Sequence, residues 1–185
     1  MLERLYFIAI IPPLPLREEI TRIKEYFADH HKSKHALRSP PHITLIPPFK
    51  YPEEQETLLE LDLKKFAKNR RPFLQELNGF GAFPPRVIYI EPVNNPQLFK
   101  LHDELLIFMK EIDFLKEEDL LKENNRAYRP HLTVAHRDLN IDAFNKAWPD
   151  LKKRSFIQSF YVDSIFILKN RKGGWDIRAE INLTE

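Results

Sequence analysis

The sequence predicts an α+β fold of two lobes, related by an approximate two-fold, facing each other across a central cleft. Three observations predict it. The piece His42-Ile43-Thr44-Leu45 recurs as His131-Leu132-Thr133-Val134, 89 residues later in a chain of 185, and each copy is preceded by proline. Both copies alternate polar and apolar residues, the period-2 signature of a half-buried strand, so His and Thr share one face while Ile43 and Leu45, or Leu132 and Val134, anchor the other. The elements around the two copies also follow one order: strand, helix, His-x-Thr strand, helix, strand pair. The repeat is architectural, without copied sequence, and it sets the two motif strands opposite each other.

Residues 5–11 are nearly all apolar and are bounded by Pro12-Pro13, as expected of an interior strand covered on both faces. Leu16, Ile20, Ile23 and Phe27 recur at helical spacing, and this helix fades through Asp29-His30-His31-Lys32 into a polar loop. The first His-x-Thr strand follows and is expected to end at Pro47-Pro48. Beyond Pro52, the acidic start (Glu53, Glu54, Glu56) and basic end (Lys64, Lys65, Lys68, Arg70) match a helix dipole, with Leu59, Leu63 and Phe66 as the buried stripe. Residues 73–77 and 87–91 read as strands. Gly79-Phe80-Gly81 and Pro84-Pro85 between them suggest a bulge or a close backbone approach, and not a tight turn.

Asn95-Pro96 opens a long helix carrying Leu98, Leu101, Leu105, Phe108 and Ile112. After the second motif, Asn140 caps a shorter helix with Phe144, Ala147, Trp148 and Leu151. Residues 160–168 and 175–183 then form a terminal hairpin around Lys172-Gly173-Gly174. With no linker or low-complexity segment, residues 1–185 read as one bilobal domain, long enough to bury roughly 70% of its unfolded surface.

The absence of cysteine excludes disulfides, thiolate zinc sites and a cysteine nucleophile, and fits a cytoplasmic protein. Hydroxyls, carboxylates and histidines must carry any chemistry. A net charge of +2 permits a polyanionic partner without arguing for one. The apolar run at 5–11 is too short to span a membrane and lacks a signal-peptide layout, so no membrane association is expected.

Two residues along a strand span about 6.6 Å, so one phosphate could touch an imidazole and a hydroxyl together. Opposed His-Thr pairs suit a phosphodiester displacement that needs no metal or other cofactor. One ring takes a proton from the attacking water or hydroxyl, and the other gives one to the leaving oxygen. The threonine hydroxyls donate to the non-bridging oxygens without adding charge.

These paired motifs, their order, and the Phe7-Ile8-Ala9-Ile10-Ile11-Pro12-Pro13 run resemble the two-histidine phosphoesterase superfamily, specifically its 2′-5′ RNA ligase and RNA 2′,3′-cyclic phosphodiesterase branch. The resemblance implies a two-histidine phosphoesterase fold, with antiparallel sheets and flanking helices around the cleft. It implies cleavage of 2′,3′-cyclic phosphates to 2′-phosphomonoesters, with the reverse 2′-5′ joining seen in some members. By motif order it makes His42 the proton donor, His131 the proton acceptor, and Thr44 and Thr133 phosphate contacts. Family members often place an arginine soon after the second motif, and here His136 intervenes before Arg137.

Arg137 shares the His131 face if the strand continues, but lies about 20 Å along it, so it reaches a distal phosphate or base at the cleft rim or pairs with a carboxylate. Arg129, two before His131, is a nearer candidate for substrate contact. Tyr128 and Phe49, beside the motifs, read first as core packing, with stacking on a base of the substrate as the alternative for each. His30, His31 and His35 raise a metal site, but no acidic partner lies close by and no metal is expected. His102, beside Asp103, reads as solvated. Basic runs at 64–71, 152–154 and 169–172 read as solvated faces, any of which would attract RNA if it bordered the cleft. The expected partner is an RNA end or a small cyclic nucleotide as substrate, with no obligate protein partner. The rival readings are a catalytically idle RNA-binding module and a generic α+β domain whose motifs coincide by chance.

Overall fold

The computed structural model describes residues 2–115, 120 and 127–184. The elements run β1 (Glu3–Ile10), α1 (Leu16–His31), β2 (Ile43–Pro52), α2 (Glu56–Ala67), β3 (Phe73–Phe83), β4 (Val87–Pro92), α3 (Pro96–Met109), β5 (Leu132–Ala135), α4 (Ile141–Leu151), β6 (Ile157–Val162), β7 (Ser164–Arg171) and β8 (Gly174–Asn182). A short 3₁₀ turn at His35–Arg38 leads into the first motif. The strands form two sheets, ordered β2-β1-β7-β8 and β5-β4-β3-β6, in which every ladder is antiparallel. Both orders begin with a motif strand at the edge, followed by the strand that opens its strand-helix-motif unit. This is the bilobal α+β architecture expected.

From Tyr6 onward β1 is buried on both faces, because two different things cover it, while Glu3, Arg4 and Leu5 remain exposed. Tyr6, Ile8 and Ile10 point into a core cluster that reaches into both sheets, while Phe7, Ala9 and Ile11 join Phe166 and Leu168 in a small separate cluster against Trp175. The second face becomes the floor of the cleft. Helix starts follow the side-chain caps read from sequence: Asn95 accepts from the Gln97 backbone N–H at 3.0 Å, and Asn140 from that of Ala143 at 2.8 Å.

Several boundaries differ from expectation for identifiable reasons. β2 runs through Pro47-Pro48 to Pro52, because an edge strand can present a proline's missing N–H to the unpaired side. β3 continues to Phe83, leaving residues 84–86 as a three-residue connection, so the link to β4 is a tight turn after all. The glycines lie inside β3 and act as expected. Gly79 takes φ +71° at the register shift between Leu77 and Phe80, and a Cβ on Gly81 would lie 2.4 Å from the Tyr89 ring. Helix α3 ends at Met109, short of Ile112, which is buried in the turn beyond.

The largest departure is at residues 160–168, expected to be one strand. β6 ends at Val162 on the second sheet, and after Asp163 the chain enters the first sheet as β7, between β1 and β8. Only β7 and β8 make the terminal hairpin. Each sheet therefore draws on both halves of the sequence, and the lobes are not the halves.

Candidate active site

The edge strands β2 and β5 pack against each other, and His42, Thr44, His131 and Thr133 all line one cleft of about 660 Å³. Local sequence positions each ring the same way. Pro41 and Pro130 precede the two histidines, and a residue before proline is held extended, which here turns its carbonyl toward the ring two positions on. The Pro40 carbonyl accepts from His42 Nδ1 at 2.8 Å, and the Arg129 carbonyl from His131 Nδ1 at 2.7 Å. Because a carbonyl can only accept, Nδ1 carries the proton and Nε2 is left as the nitrogen available to the cleft.

Aromatic shelves support both rings. Phe7 on β1 lies 4.9 Å from the His42 ring, while Phe83 meets His131 edge-on at 5.2 Å and Tyr89 lies against it at 5.6 Å. Thr44 pairs with Ala9, and Thr133 with Tyr89, so each threonine sits on an edge strand backed by a paired inner strand.

Contacts missed by sequence reasoning hold the motifs in place. Lys24 is buried, and its Nζ donates to the carbonyls of Ala36 at 3.0 Å and Ser39 at 3.1 Å, pinning the segment just ahead of His42. A sign of this was present, since Lys24 falls four residues after Ile20 on the buried stripe of α1. Asp138 accepts from Ser33 Oγ at 2.8 Å and from the backbone N–H groups of Lys34 at 2.7 Å and His35 at 2.9 Å. Tyr128 donates its hydroxyl to the Thr44 carbonyl at 2.8 Å. Nothing local in the sequence marks these last two, whose partners lie 84 or more residues away.

Burial pushes the His42 pKa down to about 4, with the charges of Lys24, His131 and His136 adding to the effect and the Pro40 carbonyl opposing it. His136, packed at 4.9 Å against His35, is likewise lowered to about 4 by burial and then by His35 and Arg137, against the pull of Asp138. Burial alone lowers Lys24 to about 7. Burial would raise Asp138, but hydrogen bonds from Ser33, from the backbone of Lys34 and His35 and from its own backbone N–H outweigh that and hold it below the usual carboxylate range.

The outlying candidates divide. Arg137 lines the cleft, because β5 stops at Ala135 and the chain turns, with Arg137 at φ 57°; the expected 20 Å run along a strand does not exist. Arg129 is exposed, its guanidinium 5.6 Å over the Phe83 ring, and its backbone carbonyl is what serves His131. Phe49 is fully buried and stacks on Tyr6, which removes it as a base-stacking surface. Tyr128 likewise takes the packing role and not the base-stacking one: one face stacks on His102 at 3.7 Å and its hydroxyl is committed to Thr44. His102, expected to be solvated, thus supports Tyr128 while contacting Asp103 at 2.8 Å.

The histidines weighed as metal ligands do not converge. His30 stacks on Tyr26 at 4.4 Å, His31 packs on Phe27 at 5.4 Å, and His35 turns to His136. Among the described residues, no group of three or more His, Asp or Glu is placed to hold a metal ion. Of the basic runs, 169–172 borders the cleft through Arg171 and Lys172.

Two antiparallel sheets that bring a pair of His-x-Thr edge strands to one cleft define the class of the two-histidine phosphoesterases. The model of the 2′-5′ RNA ligase superfamily matches residues 12–174, and the chain belongs to that superfamily. It is 30% identical over 132 residues to a Bacillus cytotoxicus protein named "Putative phosphoesterase", covering 70% of this chain and 68% of that one. It is 27% identical over 177 residues to a like-named protein of Geobacillus kaustophilus, covering 93% and 92%. Among solved structures, TT0787 of Thermus thermophilus superposes with a TM-score of 0.71 at 20% identity, covering 97% of both chains. Apo LigT of E. coli superposes with a TM-score of 0.66 at 18% identity over the whole of both. No described helix is long and apolar enough to cross a membrane.

Proposed function

We propose that this protein is a metal-independent phosphodiesterase that opens 2′,3′-cyclic phosphates, at RNA ends, to 2′-phosphomonoesters. The observation that carries the reading is the matched tethering of His42 and His131 through Nδ1, which leaves two Nε2 atoms for one cleft with a threonine two residues beyond each. Water attacks phosphorus as one imidazole removes its proton. The P–O3′ bond breaks as the other ring gives a proton to O3′, and the phosphate stays on O2′. Each such proton transfer is typically worth about 10²- to 10⁴-fold. Thr44 and Thr133 donate to the non-bridging oxygens. With a 5′-hydroxyl attacking phosphorus in place of water, the same ring opening breaks P–O3′, leaves phosphorus on O2′ and joins RNA through a 2′-5′ bond.

The resemblance that makes His42 the donor adds a condition. Burial holds this ring near 4 and hence neutral at pH 7, so it takes up its proton together with the substrate, whose phosphate anion offsets the cost of charging a buried imidazole. The names of the Bacillus and Geobacillus relatives support phosphoester chemistry. LigT of E. coli, solved in complex with 3′-AMP and with ATP, supports a nucleotide as the kind of ligand this fold takes.

The test is the product. An RNA ending in a 2′,3′-cyclic phosphate should give the 2′-phosphate alone, read by phosphorus NMR. A 3′-phosphate would mean that the substrate binds reversed relative to these roles, and no turnover on any cyclic phosphate would favour the idle RNA-binding module.

A further inference from the structure

The reaction cleft adjoins a second cavity of about 490 Å³ under the tip of the β7–β8 hairpin. Arg38, Ser39, Arg171, Lys172 and Trp175 line both. The wall between them is a fixed piece of structure. Arg38 Nε donates to the Gly173 carbonyl at 3.1 Å, and a Cβ on Gly174 would lie 2.5 Å from the Arg38 carbonyl oxygen, so glycine lets the tip sit directly on the turn that leads to His42. Trp175 stands edge-on to Phe7 at 4.7 Å, and Phe7 in turn supports His42. Among the described residues lining the second cavity, Asp176 is the one acid. It meets Arg171 at 3.4 Å with both side chains 61% exposed, a solvated pair that an incoming phosphate can replace at little cost.

We propose that this cavity is a second phosphate subsite, recognising the next phosphodiester of the RNA strand whose cyclic end lies between His42 and His131. Arg171 and Lys172 are the recognising cations, and Trp175 flanks the nucleoside between the two phosphates. The proposal rests on the function argued above and adds to it a preference for a strand over a mononucleotide. A guanidinium offers a phosphate a two-pronged contact and an ammonium offers a mobile point charge, so the two at one hairpin tip can follow a flexible backbone. An indole at the junction tolerates any base, because every base has a π-face. A cyclic mononucleotide fills the first site and leaves the second empty.

The experiment compares kcat/KM for 2′,3′-cyclic AMP, for its 5′-phosphorylated form, and for ApA ending in a 2′,3′-cyclic phosphate. Both substrates with the second phosphate should exceed the plain mononucleotide by about 10-fold or more. In the double variant Arg171→Gln, Lys172→Gln, that ratio should collapse toward one, and the slope of log binding against log salt should weaken by about 0.7 per cation removed. Both side chains are exposed, and a melting curve verifies the fold. A ratio near one in the unaltered protein, a ratio untouched in the variant, or a gain for ApA without one for the 5′-phosphorylated mononucleotide would each overturn the subsite. Turnover of none of the three would instead sink the reaction proposed above. The subsite is then read by fluorescence anisotropy with a labelled penta-adenylate carrying a 2′-phosphate end: salt-sensitive binding weakened in the double variant retains it, and binding indifferent to the variant removes it.

Discussion

The hydroxyl of Tyr128, three residues before the second motif histidine, donates to the carbonyl of Thr44 in the first motif at 2.8 Å. This bond ties the two motif strands across the interface between the sheets, and the His102 ring stacked at 3.7 Å fixes the phenol that makes it. Tyr128→Phe keeps the packing and removes the tie, so it should lower stability by about 1–2 kcal/mol. It should also lower kcat by roughly 10-fold, because small displacements of reacting groups are costly. Steady-state kinetics alongside a denaturant melt check this; a melt shift with unchanged kcat would reduce the bond to a purely structural role.

His42→Ala and His131→Ala should each lower kcat by about 10²- to 10⁴-fold. Thr44→Ala and Thr133→Ala should cost less, since each removes one neutral donor. Because the proposed mechanism uses both rings in one step, the double histidine variant should be little worse than the worse single one. Near-normal turnover in either folded single variant would end the two-histidine mechanism.

Binding of the proposed 2′-phosphate product should draw a proton onto His42, which burial holds at about 4. Affinity should therefore rise as pH falls from 7 toward 5.5. Calorimetry in buffers of different ionisation enthalpy should detect the uptake in the unaltered protein and in His131→Gln, with a smaller value in His42→Gln. Equal uptake in all three would show that His42 stays neutral and acts as the base.

Stability should fall with acid in a definite window. His42 and His136 are held near 4, whereas an unfolded imidazole titrates near 6.5. Between these values the unfolded chain binds protons that the folded chain does not, so the contribution of these two rings to stability rises with pH through the window, is complete above about 6.5, and is lost on descending toward 4. Denaturant midpoints between pH 7 and 4.5 should show this, and His136→Gln should remove about half of the slope. A flat profile in the unaltered protein would mean that neither ring is held neutral by the fold.

Activity should persist in chelator with no added divalent ion, since in the proposed mechanism two imidazoles and two hydroxyls supply every group that the displacement uses. Loss in EDTA, restored by zinc or manganese, would return attention to the histidines of the 30–35 segment.

The sequence by itself determined the alternation that puts His42 with Thr44 and His131 with Thr133, the prolines that aim a carbonyl at each ring, and the glycine and asparagine positions in β3, α3 and α4. These are local: each depends on a residue's own backbone or on a neighbour within a few positions, which a linear pattern records. Only the tertiary structure decided that residues 160–168 split between two sheets, because a period-2 pattern states which face a side chain takes and not which strand it pairs with. It also decided that Phe49 and Tyr128 belong to packing, that Arg137 turns back to the cleft, and that Lys24, Asp138 and the Arg171-Lys172 tip gather around the motifs. Those contacts join positions scores of residues apart, and their physical cause, burial together with the hydrogen bonds it demands, exists only once the two sheets have closed on one core.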